Sequence, residues 1–232
     1  MRKRAAVLCG AAVVLTGSFT ALPADASAPR TADTAPAAKL TWKSCGTTNY
    51  PTLQCASLKA PLDHDDPHGR QITLALSRVP HTAKKSQGPL LVNPGGPGGS
   101  GLTLAGFVAG SLPKAVAAQY DVIGFDPRGV GKSKPALDCK PGHFNPVRPD
   151  SLPSTPAIEK ANLRRAKSFA QACGKKHADL LPYINTVQAV RDMDSIRAAL
   201  GAKKINYFGY SYGTYLGAVY AKLFPERVRR LV

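Results

Sequence analysis

Two kinds of hydrophobic spacing follow one another along the chain. Ile72, Leu74 and Leu76 alternate with Thr73, Ala75 and Ser77, the period of two that a half-buried strand requires. An earlier strand is expected over Leu53 to Leu58, joined to the first by a turn from Asp63 to Gly69. Downstream the apolar residues come in short unbroken runs: Pro89 to Val92, Tyr120 to Phe125, Ile205 to Phe208 and Val228 to Val232. Such runs belong to strands buried on both faces of a parallel sheet. Helical stretches separate them. Val190, Met193, Ile196 and Leu200 recur at helix spacing, and Gly201 supplies the stop. This alternation predicts an α/β fold, a doubly wound and mostly parallel sheet that opens with antiparallel edge strands. Residues 134–157, dense in proline, read as an ordered excursion rather than a domain linker.

The first 38 residues stand apart from that pattern. Met1-Arg2-Lys3-Arg4 is a positively charged start, Ala5 to Leu22 is apolar, and Ala24-Asp25-Ala26 has the small-x-small form of a cleavage site. A secretory signal peptide over residues 1–26 is expected. Gly10, Gly17 and Ser18 interrupt the apolar stretch too often for a membrane anchor. Residues 27–38, rich in Ala, Pro and Thr, read as a flexible leader, and residues 39–232 as the folded part.

Charge and cysteines fit an exported protein. The 232 residues carry 31 Lys and Arg against 14 Asp and Glu, a net +17. Taking away the three basic residues and one acidic residue of positions 1–26 leaves 28 and 13, a net +15. The cations are spread over every segment with no basic helix or nucleic-acid signature in evidence, so no nucleic-acid partner is expected. Loose attachment to an anionic cell wall is a secondary expectation, and a monomer the oligomeric one. Without Cys9 four cysteines remain, compatible with two disulfides in three connectivities. The sequential pairing, Cys45 with Cys55 and Cys139 with Cys173, closes one local excursion each and is the one expected. No C-x-x-C or clustered His suggests a metal.

The candidate chemistry sits at strand ends. Gly209-Tyr210-Ser211-Tyr212-Gly213 is G-x-S-x-G, placed after the strand Ile205 to Phe208 and before a helix expected from Tyr212 to Phe224. There a sharp strand-to-helix turn lifts a serine hydroxyl above the sheet and points the first helical N–H groups at a substrate oxygen. Asn93-Pro94-Gly95-Gly96-Pro97-Gly98-Gly99-Ser100-Gly101 follows another strand and leaves its backbone N–H groups unobstructed. Ser211 is therefore the expected nucleophile, with the N–H groups of Gly96 and Tyr212 as oxyanion donors.

The stretch Gly96 to Gly101 also matches G-x-G-x-x-G, but Pro97 removes an N–H from the loop that would cradle a pyrophosphate, so no dinucleotide or other cofactor is expected. Asp126 and Arg128, in D-x-R-G-x-G-x-S, read as a turn-stabilising ion pair behind the oxyanion loop. The histidines at 64, 68, 81, 143 and 177 read as solvated surface residues, and so does Glu226.

Pro94 to Gly101, Asp126 to Ser133 and Gly209 to Gly217 together resemble the secreted tripeptidyl aminopeptidases of actinomycetes, in the prolyl-aminopeptidase-like branch of the α/β-hydrolases. Pro94 stands where that branch commonly has His in H-G-G-P-G. The resemblance implies an α/β-hydrolase fold and a serine exopeptidase that releases short peptides from free N-termini through a Ser211 acyl-enzyme. A carboxylesterase or lipase on the same scaffold is the alternative, since fold and elbow are shared; the substrate is then a small ester rather than a peptide.

α/β-Hydrolases order their triad Ser, then Asp or Glu, then His. Here only Glu226 is acidic after Ser211, and no His follows. The resemblance thus implies that residues 39–232 are the N-terminal part of a longer catalytic domain, truncated before the lid and C-terminal strands. The 232 residues alone are expected to be inactive.

Overall fold

The computed structural model describes residues 40–145 and 147–232. The expected signal peptide and leader lie outside the described residues. Seven strands form one sheet: β1 (Lys43–Ser44), β2 (Gln54–Pro61), β3 (Gln71–Val79), β4 (Pro89–Asn93), β5 (Asp121–Asp126), β6 (Ile205–Gly209) and β7 (Val228–Leu231). Their spatial order is β1-β2-β3-β5-β4-β6-β7. β1, β2, β3 and β5 pair antiparallel, whereas β5, β4, β6 and β7 pair parallel. The helices are α1 (Leu104–Ser111), α2 (Lys114–Ala117), α3 (Pro156–His177), α4 (Thr186–Ala199) and α5 (Tyr212–Leu223).

Side-chain alternation divides the sheet between two cores. Leu91, Ile123, Phe125, Ile205 and Tyr207 point to one face, where they meet Val190, Met193 and Ile196 of α4 and Leu216 and Tyr220 of α5. Val92 and Val122 point to the other, against Ala105 and Val108 of α1. This double burial explains why the central strands read as unbroken apolar runs. The helix stop expected at Gly201 has φ +66°, a conformation glycine adopts without a Cβ penalty.

The two disulfides are those of the sequential pairing. Cys45–Cys55 joins β1 to β2 with Cα atoms 5.7 Å apart, and Cys139–Cys173 ties the excursion to α3 at 4.5 Å. Among the described residues no helix is long and apolar enough to cross a membrane.

Four expectations are corrected. β2 begins one residue later than foreseen and runs on to Pro61. Ser77, on the polar side of the β3 alternation, is fully buried because α1 covers that face; its hydroxyl donates to the Leu102 carbonyl at 2.6 Å. β7 is not buried on both faces: Val228 is half-buried and Arg229 to Val232 are exposed. A basic helix does exist. α3 holds Lys160, Arg164, Arg165, Lys167, Lys175 and Lys176 against the single acid Glu159. Its inner face is only half-buried and mixes Ile158, Ala161, Phe169 and Ala172 with Asn162, Arg165 and Ser168, with His177 its one buried residue, and so its periodic signal in the sequence is weak.

Candidate active site

β4 and β6 lie side by side, and the chain leaves them in opposite directions. From β4 it passes through α1 to β5 on one flank; from β6 it passes through α5 to β7 on the other. In open α/β sheets such a switch point opens a crevice above the carboxyl ends of the two strands. The loop Pro94 to Gly101 rises from β4 into that crevice and the G-x-S-x-G turn rises from β6.

Ser211 sits at φ 51° and ψ −125°, the one non-glycine residue with positive φ among the described residues. Such a conformation costs on the order of 1–3 kcal/mol and persists only where the surroundings dictate it. Here they do. The Tyr210 N–H donates to the Asn93 carbonyl at 3.0 Å, and the Gly213 N–H to the Tyr210 carbonyl at 2.7 Å. The Ser211 carbonyl accepts from the N–H and hydroxyl of Thr214, at 2.9 and 2.7 Å. Beneath the turn, the buried Tyr207 hydroxyl donates to the Gly213 carbonyl at 2.8 Å. Burial first, and then the neighbouring Tyr212, push the Tyr207 phenol well above its ordinary range, so it keeps its proton for that bond. A Cβ on Gly213 would lie 2.7 Å from the Asn93 carbonyl oxygen, so the elbow can approach β4 this closely only with glycine there.

The β4 loop packs directly on the elbow. Gly95 has φ +83°, and a Cβ there would fall 2.8 Å from the Tyr212 nitrogen and collide with the Tyr210 carbonyl. Ser211, Tyr212 and the Gly95-Gly96 backbone are thus brought to one crevice. Ser211 and Gly96 are exposed, and Tyr212 is half-buried. Among the described residues neither the Gly96 N–H nor the Tyr212 N–H is taken by another group.

Sequence reasoning gave no role to the residue that joins these two pieces. Asn93, 2% exposed, accepts from the Gly95 N–H on its side-chain oxygen at 2.8 Å while its main-chain carbonyl holds Tyr210. A polar residue buried at the end of an apolar strand run is the signal that could have marked it. Thr186, the first residue of α4, was also unforeseen. Its hydroxyl lies 2.7 Å from that of Tyr212 and ties α4 to the start of α5.

The expected ion pair of Asp126 with Arg128 is replaced by two separate arrangements. The fully buried Asp126 carboxylate accepts from the Ser100 hydroxyl at 2.5 Å, the Gly101 N–H at 3.0 Å and the Lys132 N–H at 2.8 Å. It thereby anchors the exit of the β4 loop to the turn after β5. Arg128 turns away to make a bidentate pair with Asp192 of α4, at 2.8 and 2.6 Å, and donates to the carbonyls of Pro61, Leu62 and Tyr183. The pairing spans 64 residues, beyond the reach of local spacing.

Not every histidine is a solvated surface residue. The His64 ring donates from Nε2 to the same Asp192 carboxylate at 2.9 Å and is mostly buried, and His177 is buried at the end of α3. Neither hydrogen-bonds Ser211, and no histidine does so among the described residues. Glu226 is exposed in the turn after α5, as expected.

Residues 88–232 match the model of the α/β hydrolase fold family. The chain belongs to that family. Among relatives of this α/β hydrolase, the tripeptidyl aminopeptidase of Streptomyces lividans is 44% identical over 202 residues, covering 84% of this chain and 38% of that protein. Serine protease Hip1 of Mycobacterium tuberculosis is 38% identical over 240 aligned positions, with 98% of this chain and 44% of that protein covered. Carboxylesterase B of the same species is 38% identical over 167 residues, 68% of this chain and 32% of that protein. The chain spans less than half the length of each.

Proposed function

We propose that this α/β hydrolase is a secreted serine aminopeptidase that releases tripeptides from free N-termini, with Ser211 as its nucleophile. The observation that carries the reading is the backbone of Ser211: a strained positive φ at the junction of β6 and α5, held by bonds to β4. The Ser211 Oγ attacks the scissile carbonyl carbon. A new C–O bond forms, and the carbonyl electrons move to an oxygen that accepts from the Gly96 and Tyr212 N–H groups. Collapse of that intermediate breaks the C–N bond, releases the amine and leaves the acyl group on Ser211; water then regenerates the hydroxyl. Each oxyanion donor is worth about 10²- to 10³-fold in rate.

The reading assigns no base among the histidines at 64, 68, 81, 143 and 177. On this proposal the proton of Ser211 is taken by the His of the acid-and-His pair that follows the nucleophile in α/β-hydrolases. The similarity to a tripeptidyl aminopeptidase supports the peptide specificity, and the two disulfides together with the signal-like N-terminus support export. The similarity to a carboxylesterase favours a second reading, hydrolysis of small esters at the same serine.

Three substrates given to the complete gene product separate the two. A tripeptide anilide with a free N-terminus should be cleaved, its acetylated form should be cleaved at least about 100-fold more slowly, and a p-nitrophenyl ester should be the poorer substrate in kcat/KM. Preference for the ester, with no distinction between free and acetylated peptide, would establish the esterase instead.

A further inference from the structure

The excursion between β5 and α4 has a surface that the hydrolase chemistry does not use. On α3, Lys160, Arg164, Lys167 and Lys175 are all exposed. At 100° per residue they fall within an arc of about 80°, and the 15 positions they span cover about 22 Å along the axis. None of the four has a carboxylate or hydrogen-bond partner among the described residues. Three other cations of the region are engaged: Arg165 donates to the His143 carbonyl, Lys140 to Ser168, and Lys176 pairs with Asp138.

Cations outnumber acids in the neighbourhood. The half-buried His143 imidazole, stacked on Phe169, is held below its ordinary value by desolvation and then by Arg165, Lys140 and Arg148. The acid on α3, Glu159, lies in the first turn, where it complements the helix dipole.

We infer that this stripe of α3 is a docking surface for a linear, flexible, phosphodiester-linked polyanion of the cell surface. An extended row of unpaired cations complements regularly repeated phosphates. The same row offers little to a bilayer, because an interfacial helix needs an apolar face and Leu163 is the single large exposed apolar residue of α3. It carries no exposed aromatic on which nucleic-acid bases would stack. None of the four residues hydrogen-bonds Ser211, Gly96 or Tyr212 among the described residues.

The test measures binding of the full chain to poly(glycerol phosphate), with anionic phospholipid vesicles and duplex DNA as parallel probes. Four phosphate contacts predict that affinity for the polymer falls about 50-fold between 50 and 200 mM salt. Replacing Lys160, Arg164, Lys167 and Lys175 by Gln should abolish most of that binding at 50 mM salt and flatten its salt dependence. The control replaces the exposed Lys84, Lys85, Lys203 and Lys204 by Gln, an equal change in net charge elsewhere, and should bind almost as the parent does. Both variants alter only exposed side chains, and unchanged melting temperatures establish that they fold. Equal loss in the two variants would reduce the effect to net charge and overturn the proposal. So would no binding to the polymer, or tighter α3-dependent binding to vesicles or DNA.

Discussion

The crevice and the α3 excursion are built on opposite principles. Around Ser211 the backbone is fixed by buried, short-range contacts: Asn93 holds two loops at once, Asp126 gathers three donors, and glycines let main chain touch main chain. Past Leu137, whose main chain is paired to Gly129 as that of Lys134 is to Thr73, the excursion up to His177 is held mainly by one disulfide, a few surface hydrogen bonds and the small aromatic cluster of His143, Phe144 and Phe169. Strain can be stored only in the first region, because only there does the surrounding structure determine the backbone. The second can change its surface chemistry without disturbing the first.

Substitutions in the crevice should therefore act on activity far more than those in the excursion. The largest effect is expected from Ser211→Ala, a loss of about 10⁶-fold in hydrolysis by the complete gene product, measured in single turnover, with a melting temperature no lower than the parent's. Gly95→Ala should follow. Its Cβ would drive the loop off the elbow, and kcat should fall by about 10²- to 10³-fold with a smaller change in KM, the signature of a lost oxyanion donor. Asp126→Ala removes the acceptor of three donors, of which the Gly101 N–H is buried, and urea unfolding should record a loss on the order of 2 kcal/mol.

The disulfide tests the contrast from the other side. Closing a loop of this size is worth about 3–4 kcal/mol to a chain that unfolds as one unit. In the paired variant Cys139→Ser, Cys173→Ser that loss should instead stay local. Hydrogen exchange should quicken between residues 139 and 173, while exchange in β4, β6 and α5 and the turnover rate remain close to the parent's. A global loss of the full amount would break the comparison. The smallest effect is expected at Asp179, whose carboxyl is held below its ordinary value mainly by the side-chain bond from Arg70. A depressed carboxyl adds stability that is present at neutral pH and lost as the pH falls through its folded value. Because the pair is exposed, Arg70→Gln should lower the melting temperature only slightly at pH 7 and not at all in strong acid, as read by parallel melts.

How much of this was legible in the sequence follows the same division. The central strands, α4 and the elbow were readable because burial on both sheet faces, a helix period and a Gly-flanked serine each leave a local imprint. The disulfide pairing was readable as well, since each bridge closes a short stretch. The partners of Arg128 and His64 were not, because Asp192 reaches them from a distant helix. α3 was missed for a different reason. Its stability comes from a Thr155 cap, a proline at its start, basic residues in its last turn and the Cys139 tether, none of which produces hydrophobic periodicity.

The central claim is that the strained serine above β6 is a live nucleophile facing two main-chain donors. Treating the complete gene product with a fluorophosphonate and mapping the adduct by peptide mass spectrometry tests it directly. Stoichiometric labelling on Ser211, slowed at least about 100-fold by Gly95→Ala, is the predicted result. A folded protein that takes up no label, or takes it up at another residue, would contradict it.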